Sequence, residues 1–330
     1  MEYHGTRLPT RARRSEPSWP TVIATTLRLW FERHPIVGRK GTHGHRVAVA
    51  VAAVGVVALG AGVAGAIVGH ATTSAPVGSP PSAGPPGALA ASATTREEAA
   101  NWIAAQVASS AVVACDPGMC AALQADGLPA ARLLVLGTAA ADPLGSDVIV
   151  ATSAVRNEFG SRLESVYAPA VIASFGSGPG RIDVRVTAPD GTAAYESALA
   201  ADRRGRVSAG AQLLRNSRIT VDPVARAALS TGDVDPRLLM LLAALAVQQP
   251  VRVSAFGDPS PGANQAVPLR GAQIAPLRPS AQAKSRLRSM LSFIDAQQQP
   301  FLPLRASLAG TSALTVEYAA PSPLGLIGGP

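Results

Sequence analysis

Histidine is confined to the first 70 of the 330 residues, where all five histidines lie. Residues 71–330 contain none, which excludes Ser-His-Asp and Cys-His arrangements and histidine-ligated zinc sites from that part of the chain. Lysine is nearly absent too, since only Lys40 and Lys284 occur. Ser280 precedes Lys284 by one residue more than the S-x-x-K motif requires, so a serine–lysine mechanism is not indicated. Neither a Walker A loop nor a dinucleotide fingerprint is present.

Charge is absent from the 23 residues 47–69, which read VAVAVAAVGVVALGAGVAGAIVG. At ~1.5 Å per residue a helix of this length spans ~34 Å, enough to cross a hydrocarbon core of roughly 30 Å. A helix in a soluble core normally keeps a polar stripe, which this segment lacks. We therefore predict a single transmembrane helix over residues 47–69, with the lipid bilayer as its partner.

The flanking charges predict the orientation of this helix. Basic residues crowd its N-terminal side, and the next one along the chain is Arg96. The positive-inside rule places residues 1–46 in the cytoplasm and the chain after His70 outside the cell membrane. The apolar run exceeds the usual h-region of about 7–15 residues, which favours an uncleaved signal-anchor over cleavage after Ala71. A row of small residues, Ala61, Gly65 and Gly69, would allow weak homo-association of the helix.

The formal charge of +8 belongs mainly to the N-terminal tail. Residues 1–46 carry nine basic and three acidic residues, whereas residues 71–330 carry 20 basic and 18 acidic ones. A nearly balanced domain argues against nucleic-acid binding, which needs a concentrated basic face. We expect the tail to lie on the anionic inner leaflet or to contact a cytosolic partner.

Residues 70–93 are rich in Pro, Ala, Gly and Ser and carry no charge, so they are predicted to form a linker. Capping-box spacing at Thr94 and Glu97 predicts a helix that begins an extracytoplasmic domain over residues 94–260. A C-terminal extension of loop, helix and strand is predicted over residues 261–320, and a disordered tail over residues 321–330. The final helix is expected over residues 280–298, with Leu287, Leu291 and Ile294 on one face.

Short apolar runs alternate with helical patterns in residues 94–260. This alternation predicts an α/β domain with a mainly parallel or mixed sheet flanked by helices. The strands are predicted at residues 111–115, 132–136, 147–151, 170–175, 181–186, 218–221 and 251–256. The helices between them are predicted near residues 117–126, 153–165, 191–214, 223–230 and 235–248.

Two of these strands carry different patterns. DVIVA, residues 147–151, is apolar after its first residue and predicts a central strand covered on both faces. RIDVRV, residues 181–186, alternates apolar and charged residues and predicts a half-exposed strand. GSGPG before it predicts a hairpin loop, because a phosphate-binding glycine loop would lead into a helix.

The only two cysteines, Cys115 and Cys120, lie outside the cytoplasm in this topology, where disulfides persist. Their spacing differs from that of redox pairs and zinc knuckles. Asp116 suits an N-cap and Pro117 a first helical position, so the cysteines occupy the two positions that a hydrophobic staple joins. We predict a structural disulfide there, with catalytic redox chemistry as the alternative.

Other polar groups give weaker indications. Asp142 and Asp147 flank a turn; they are interpreted as turn-shaping residues, with carboxylate-based hydrolysis as the alternative. Ligands bind beyond the carboxyl ends of strands in open α/β sheets, which makes Thr152, Ser153 and Arg156 a candidate ligand-binding group for an anion. No catalytic residue, metal site or cofactor is predicted.

The segments CDPGMCAALQADGLPAARLLVLG, DPLGSDVIVATSAVRNEFGSRL, YAPAVIASFGSG and RIDVRVTAPDG carry a resemblance. Over about residues 96–260 the chain resembles uncharacterised actinobacterial membrane-anchored proteins of one span. The resemblance implies anchoring and supplies no activity or site residue.

Three functions remain open at this point. The preferred one is a non-enzymatic cell-envelope protein whose outer domain binds a ligand, a cell-wall component or another envelope partner. The alternatives are an extracytoplasmic hydrolase or transferase that uses Asp or Ser without His, and a transmembrane signalling protein that acts through its cytoplasmic tail.

Overall fold

The computed structural model describes residues 86–137, 142–257, 260–262, 267–277 and 282–327. All of them belong to one compact unit, Ser82–Pro330. The predicted cytoplasmic tail (1–46), transmembrane helix (47–69) and most of the predicted linker lie outside the described residues. Within the described part, no helix is both long enough and apolar enough to cross a lipid bilayer.

The first described helix, α1, begins at Pro86 rather than at Thr94, and continues to Gln106. The residues that follow Pro86 are GALAASA, and alanine and leucine are strong helix formers. Proline is tolerated at the first helical position because its missing N–H would have no partner there. The last residues of the predicted linker, 86–93, are therefore helical.

The first lobe contains a five-stranded sheet with three helices. Its helices are α1, α2 (Pro117–Ala125) and α3 (Ser153–Phe159), and its strands are β1 (Val113–Cys115), β2 (Leu133–Val135), β3 (Val148–Ala151), β4 (Ala170–Phe175) and β5 (Ile182–Val186). The strand order is β2-β1-β3-β5-β4. β1 is parallel to β2 and β3, whereas β5 is antiparallel to β3 and β4. The sheet is mixed because a short hairpin loop joins β4 to β5, and such loops connect only antiparallel strands.

The second lobe contains a separate five-stranded sheet, in the order β6-β7-β8-β10-β9. Its strands are β6 (Ile219–Val221), β7 (Val251–Gly257), β8 (Gly271–Pro276), β9 (Arg305–Ala309) and β10 (Ala313–Glu317), and its helices are α4 (Thr192–Arg215), α5 (Pro223–Thr231), α6 (Pro236–Gln248) and α7 (Ala283–Asp295). Only β6 and β7 pair in parallel; the other pairs are antiparallel. The α/β class is confirmed, but the chain forms two mixed sheets where one was expected.

The predicted C-terminal extension supplies three strands of this second sheet. β8, β9 and β10 all lie after residue 260, and β7 lies before it. α7 packs on this sheet through the buried side chains of Leu287, Met290 and Ile294, while Leu291 is half-buried. The described residues of the range 261–320 are therefore part of the same fold as the residues that precede them.

The core of the first lobe lies on both faces of its sheet. Trp102 of α1 and Met119 of α2 pack with Val150 on one face. On the other face, Val155 of α3 packs with Ile149. Every residue of β3 is fully buried, which confirms the expectation that DVIVA forms a central strand.

The expectation of a half-exposed strand at residues 181–186 is wrong. β5 lies between β3 and β4, and its charged residues Asp183 and Arg185 are 1% and 4% exposed. Hydrogen bonds of both side chains and an ion pair between Arg181 Nη2 and Asp183 Oδ2 at 2.9 Å make this burial tolerable, since an unpaired buried charge would be strongly destabilising. The alternating pattern therefore reflects polar partners within the lobe, and not a solvent-facing side.

Candidate functional site

The two cysteines flank the start of α2, directly after β1. Asp116 is the N-cap, and its Oδ1 accepts hydrogen bonds from the backbone N–H groups of Gly118 (2.9 Å) and Met119 (3.1 Å). The sulfur atoms of Cys115 and Cys120 are 1.92 Å apart, which is disulfide distance, and their Cα atoms are 5.4 Å apart. Both residues are buried. The pair thus lies in the core, at the point where a strand enters a helix.

The predicted ligand-binding group lies where the loops after β1, β3 and β4 meet. Thr152 caps α3, and its hydroxyl donates to Asp116 Oδ2 at 2.5 Å. Arg156 donates to the carbonyl oxygens of Ala151 (2.6 Å), Arg181 (2.6 Å) and Pro179 (2.8 Å). Ser153 is the exposed member of the group, and its hydroxyl has no hydrogen bond to a described residue.

These hydrogen bonds give Thr152 and Arg156 a structural role. They tie three loops together at one end of the first sheet, as the topology of an open sheet would suggest. The helix that Thr152 caps is only seven residues long. Anion binding by this group stays a prediction from the sequence.

The two carboxylates considered for hydrolysis both accept hydrogen bonds from backbone N–H groups, one inside the turn between them and one outside it. Asp142 Oδ1 accepts a hydrogen bond from Leu144 N at 3.0 Å. Asp147 Oδ2 accepts one from Val112 N at 2.8 Å. Asp142 thus shapes the turn, as aspartate next to proline commonly does, whereas Asp147 joins the residue before β3 to the residue before β1.

The buried charges of β5 bond to both backbone and side chains of the neighbouring segments. Arg185 donates to Ala168 O at 2.7 Å and to Glu164 Oε1 at 3.2 Å. Ser174 donates its hydroxyl proton to Asp183 Oδ1 at 2.7 Å. Burial lowers the pKa of Arg185, and the negative charges of Glu164 and Asp183 oppose that shift.

Two ion pairs are buried inside the second lobe. Asp202 and Arg206 lie one turn apart on α4, and their side chains are 0% and 3% exposed. Asp235 caps α6 and also accepts two hydrogen bonds from Arg237, at 2.9 and 2.7 Å. Removing one partner of such a pair leaves an uncompensated buried charge, so both pairs are integral to the lobe.

An irregular segment after β10, residues 318–327, crosses these two ion pairs; we call it the C-terminal strap. The Ser322 hydroxyl donates to Asp235 Oδ2 at 2.5 Å, and Gly325 N donates to Asp202 Oδ1 at 3.1 Å. Arg237 donates to Ala319 O at 2.8 Å. Residues 321–327, which the sequence suggested to be a disordered end, therefore satisfy two buried carboxylates.

The strap also joins the two lobes. Ala320 N donates to Gln106 O of α1 at 2.8 Å, and Ala108 N donates to Ala320 O at 2.8 Å. The fully buried Arg270, just before β8, donates to Tyr318 O at 2.7 Å. These bonds connect the first described helix, α1, and the residue before β8 to the start of the strap.

Tyr318 is the largest aromatic group in this region, and it is fully buried. The guanidinium carbon of Arg237 lies 4.8 Å from its ring centroid, within cation–π range. Its hydroxyl has no hydrogen-bond partner among the described residues. Burial raises the pKa of Tyr318, the charge of Asp235 raises it further, and Arg237 opposes both.

A pocket of ≈ 230 Å³ opens beside α4 in the second lobe. Its walls are α4, Asp233 and the segment before β8. It is lined by Glu196, Leu199, Ala200, Arg203, Arg206, Asp233, Val267 and Pro268. The sequence predicted α4 as a helix but carried no signal for this pocket, because the segments that line it are brought together only by the tertiary fold.

The pocket carries charges of both signs. Arg206 uses Nη1 on Asp202 and Nε on Gly232 O (2.7 Å), and no described residue accepts a hydrogen bond from its Nη2. At the rim, Arg203 Nη2 lies 3.5 Å from Asp233 Oδ1. Glu196 is exposed and forms no ion pair within the described part of the chain. The pocket therefore offers a donor at its base and carboxylates at its edge.

The described residues contain no group of three or more His, Cys, Asp or Glu side chains placed to hold a metal ion. Comparison with models of protein families, with curated proteins and with solved structures finds no match to this chain. The pocket beside α4 is thus identified from its geometry and charges alone.

Proposed function

We propose that this chain is a single-pass membrane-anchored protein of the cell envelope, whose outer two-lobed α/β domain binds a ligand or an envelope partner without catalysing a reaction. The observation that carries the topology is the uncharged segment of residues 47–69 with basic residues before it. The positive-inside rule then places Ser82–Pro330 outside.

The cysteine pair supports this location. Cys115 and Cys120 are at disulfide distance inside a domain that follows the apolar segment. Disulfides persist in oxidising compartments and are rare in the cytosol. The cysteine pair and the charges that flank residues 47–69 thus both favour a location of the domain outside the cytoplasm.

Binding rather than catalysis is supported by the way polar side chains are used. Residues 71–330 contain no histidine, and Asp116, Asp142 and Asp147 each accept hydrogen bonds from backbone N–H groups. A general acid or base needs a group free to reach a substrate proton. The pocket beside α4 offers donors and acceptors at its surface, which suits recognition.

Location can be tested with one introduced thiol, because the native cysteines are paired and buried. In the variant Ser289→Cys, the new thiol lies on an exposed position of α7. We expect a membrane-impermeant maleimide to label it in intact cells. The matched control is Ser15→Cys in the basic tail, which should be labelled only after the membrane is permeabilised.

The reverse labelling pattern, with Ser15→Cys reactive in intact cells and Ser289→Cys protected, would rule out the proposed topology. Labelling of both variants only after permeabilisation would place the domain inside and would also contradict it. Labelling of the wild-type chain without reduction would show that the cysteines are not paired.

The absence of catalysis can be tested with soluble cell-wall fragments and the full chain in detergent. We expect a rise in melting temperature with fragments that mass spectrometry recovers unchanged. Fragments that are cleaved, with cleavage lost in Asp142→Asn or Asp147→Asn, would support the hydrolase alternative instead.

A further inference from the structure

We infer that the pocket beside α4 binds a short peptide with free ends, of about three small apolar residues. This inference rests on the proposed binding function and names the ligand class for it. It follows from the charges at the two ends of the pocket, the distance between them and the apolar wall that joins them.

The base of the pocket is suited to a carboxylate. Arg206 is held in place by Asp202 and by Gly232 O, and its Nη2 has no acceptor among the described residues. A carboxylate placed there would receive charge-assisted hydrogen bonds, which are among the stronger hydrogen bonds in proteins. Arg203 also lines the pocket; its Nε donates to Thr231 O at 3.3 Å and its Nη2 lies 3.5 Å from Asp233 Oδ1, so its Nη1 is the group able to contribute.

The opposite end of the pocket is suited to an ammonium group. Glu196 lies two to three turns before Arg206 on α4, about 15 Å along the helix axis at ~1.5 Å per residue. Its carboxylate is exposed and has no ion-pair partner among the described residues. A single amino acid could not reach both ends.

A short extended peptide fits this separation. Extended chains span roughly 3.3–3.6 Å per residue, so three residues cover about 10 Å, and the long Glu and Arg side chains reach the rest. Between the charged ends the wall is formed by Leu199, Ala200, Val267 and Pro268. These are apolar groups that suit small side chains.

The volume limits the ligand further. At ≈ 230 Å³, the pocket is smaller than the roughly 300–1,000 Å³ of sites that enclose drug-sized molecules. Large or branched side chains would not be enclosed. The best match is a peptide with alanine-sized side chains, a free carboxylate and a free ammonium group.

The probe is trialanine, titrated calorimetrically into the full chain in detergent. We expect a Kd on the order of 0.1–1 mM, from a ligand efficiency of about 0.3 kcal/mol per heavy atom. N-acetyl-trialanine and trialanine amide, which each lack one terminal charge, should bind about ten-fold more weakly. Inorganic phosphate, which carries charge without the peptide, should bind more weakly than trialanine.

Variants at Glu196 and in the apolar wall make the test specific. Glu196→Gln should reduce trialanine affinity to that of the N-acetyl form and leave the N-acetyl form unaffected. Leu199→Trp should fill the pocket and abolish binding of both. Arg204→Gln is the matched control, because Arg204 is exposed on the same helix and does not line the pocket.

Three results would overturn the inference: no heat of binding at about 10 mM trialanine, equal affinity for phosphate and trialanine, or unchanged affinity in both Glu196→Gln and Leu199→Trp with an unaltered circular dichroism spectrum. Failure here is distinct from failure of the proposed location. If trialanine binds but Ser289→Cys is not labelled in intact cells, the peptide site is supported and the proposed topology is rejected. If Ser289→Cys is labelled but trialanine does not bind, only the peptide site is rejected.

Discussion

Removal of the end of the C-terminal strap should destabilise the second lobe substantially. A chain that ends at Ala320 loses the hydrogen bonds from Ser322 to Asp235 and from Gly325 to Asp202. Hydrogen bonds to charged groups contribute roughly 1.5–3 kcal/mol each, so the gross loss is about 3–6 kcal/mol. Water that reaches the uncovered carboxylates offsets part of this, and we expect a net loss of about 2–4 kcal/mol.

The measurement is thermal unfolding followed by circular dichroism at 222 nm, with the full chain and its variants in the same detergent. At about 2–4 °C per kcal/mol for a domain of this size, the chain that ends at Ala320 should melt about 4–16 °C below wild type. The matched control ends at Ile327 and keeps both hydrogen bonds. Its melting temperature should equal that of wild type.

A point variant separates the hydrogen bonds from the effect of chain length. Ser322→Ala removes one donor to Asp235 and should cost about 1–2 kcal/mol. Ser289→Ala, at an exposed position of α7, should change nothing. If the chain that ends at Ala320 has the same melting temperature as the one that ends at Ile327, residues 321–327 contribute no stability. Our reasoning about Asp202 and Asp235 is then refuted.

Three further predictions concern other parts of the fold. Asp116→Ala removes the N-cap of α2 and should lower the free energy of unfolding by about 0.5–2 kcal/mol in urea titrations. Gly210→Ala places a Cβ 2.2 Å from Leu229 O and should cost about 1–3 kcal/mol, whereas Gly180→Ala meets nothing within 4 Å. Because burial raises the pKa of Tyr318, the folded state keeps this group neutral while the unfolded chain ionises. Stability should therefore fall as pH rises above about 10, and more steeply in wild type than in Tyr318→Phe.

The controls for these predictions use positions without the same contacts. Asp126→Ala, at the exposed C-terminal end of α2, should leave stability almost unchanged. A destabilisation of Gly180→Ala as large as that of Gly210→Ala would show that steric contact with α5 is not the cause. Equal slopes of stability against pH in wild type and Tyr318→Phe would contradict the assignment to that hydroxyl.

Strong local patterns were sufficient for most individual elements. The Asp-Pro pair at residues 116 and 117 predicted the start of α2, because a capping carboxylate and a proline at the first position act within a few residues. The apolar run DVIVA predicted β3 and its burial on both faces. By contrast, β8 (GAQIAP) and β9 (RASLA) were not predicted, because their glycine, proline and polar residues resemble loop sequence.

The pairing of strands far apart in the chain could not be predicted from local sequence patterns. Nothing local in RIDVRV shows that β5 lies between two strands, so its alternating charges suggested an exposed face that the fold in fact buries. The polar partners of Arg185 come from residues 164–169, which a strand pattern does not specify. The division into two sheets likewise depends on which strands pair, and pairing is decided by packing across the whole lobe.

The sequence alone determined the apolar segment, the basic tail, the cysteine spacing at a helix start and the α/β class. Each of these depends on composition or on residues close together in the chain. Only the tertiary structure decided the two mixed sheets, the strap across Asp202 and Asp235, and the pocket beside α4. These depend on contacts between residues far apart in the chain, and such contacts form only where the packing of the whole domain makes them favourable.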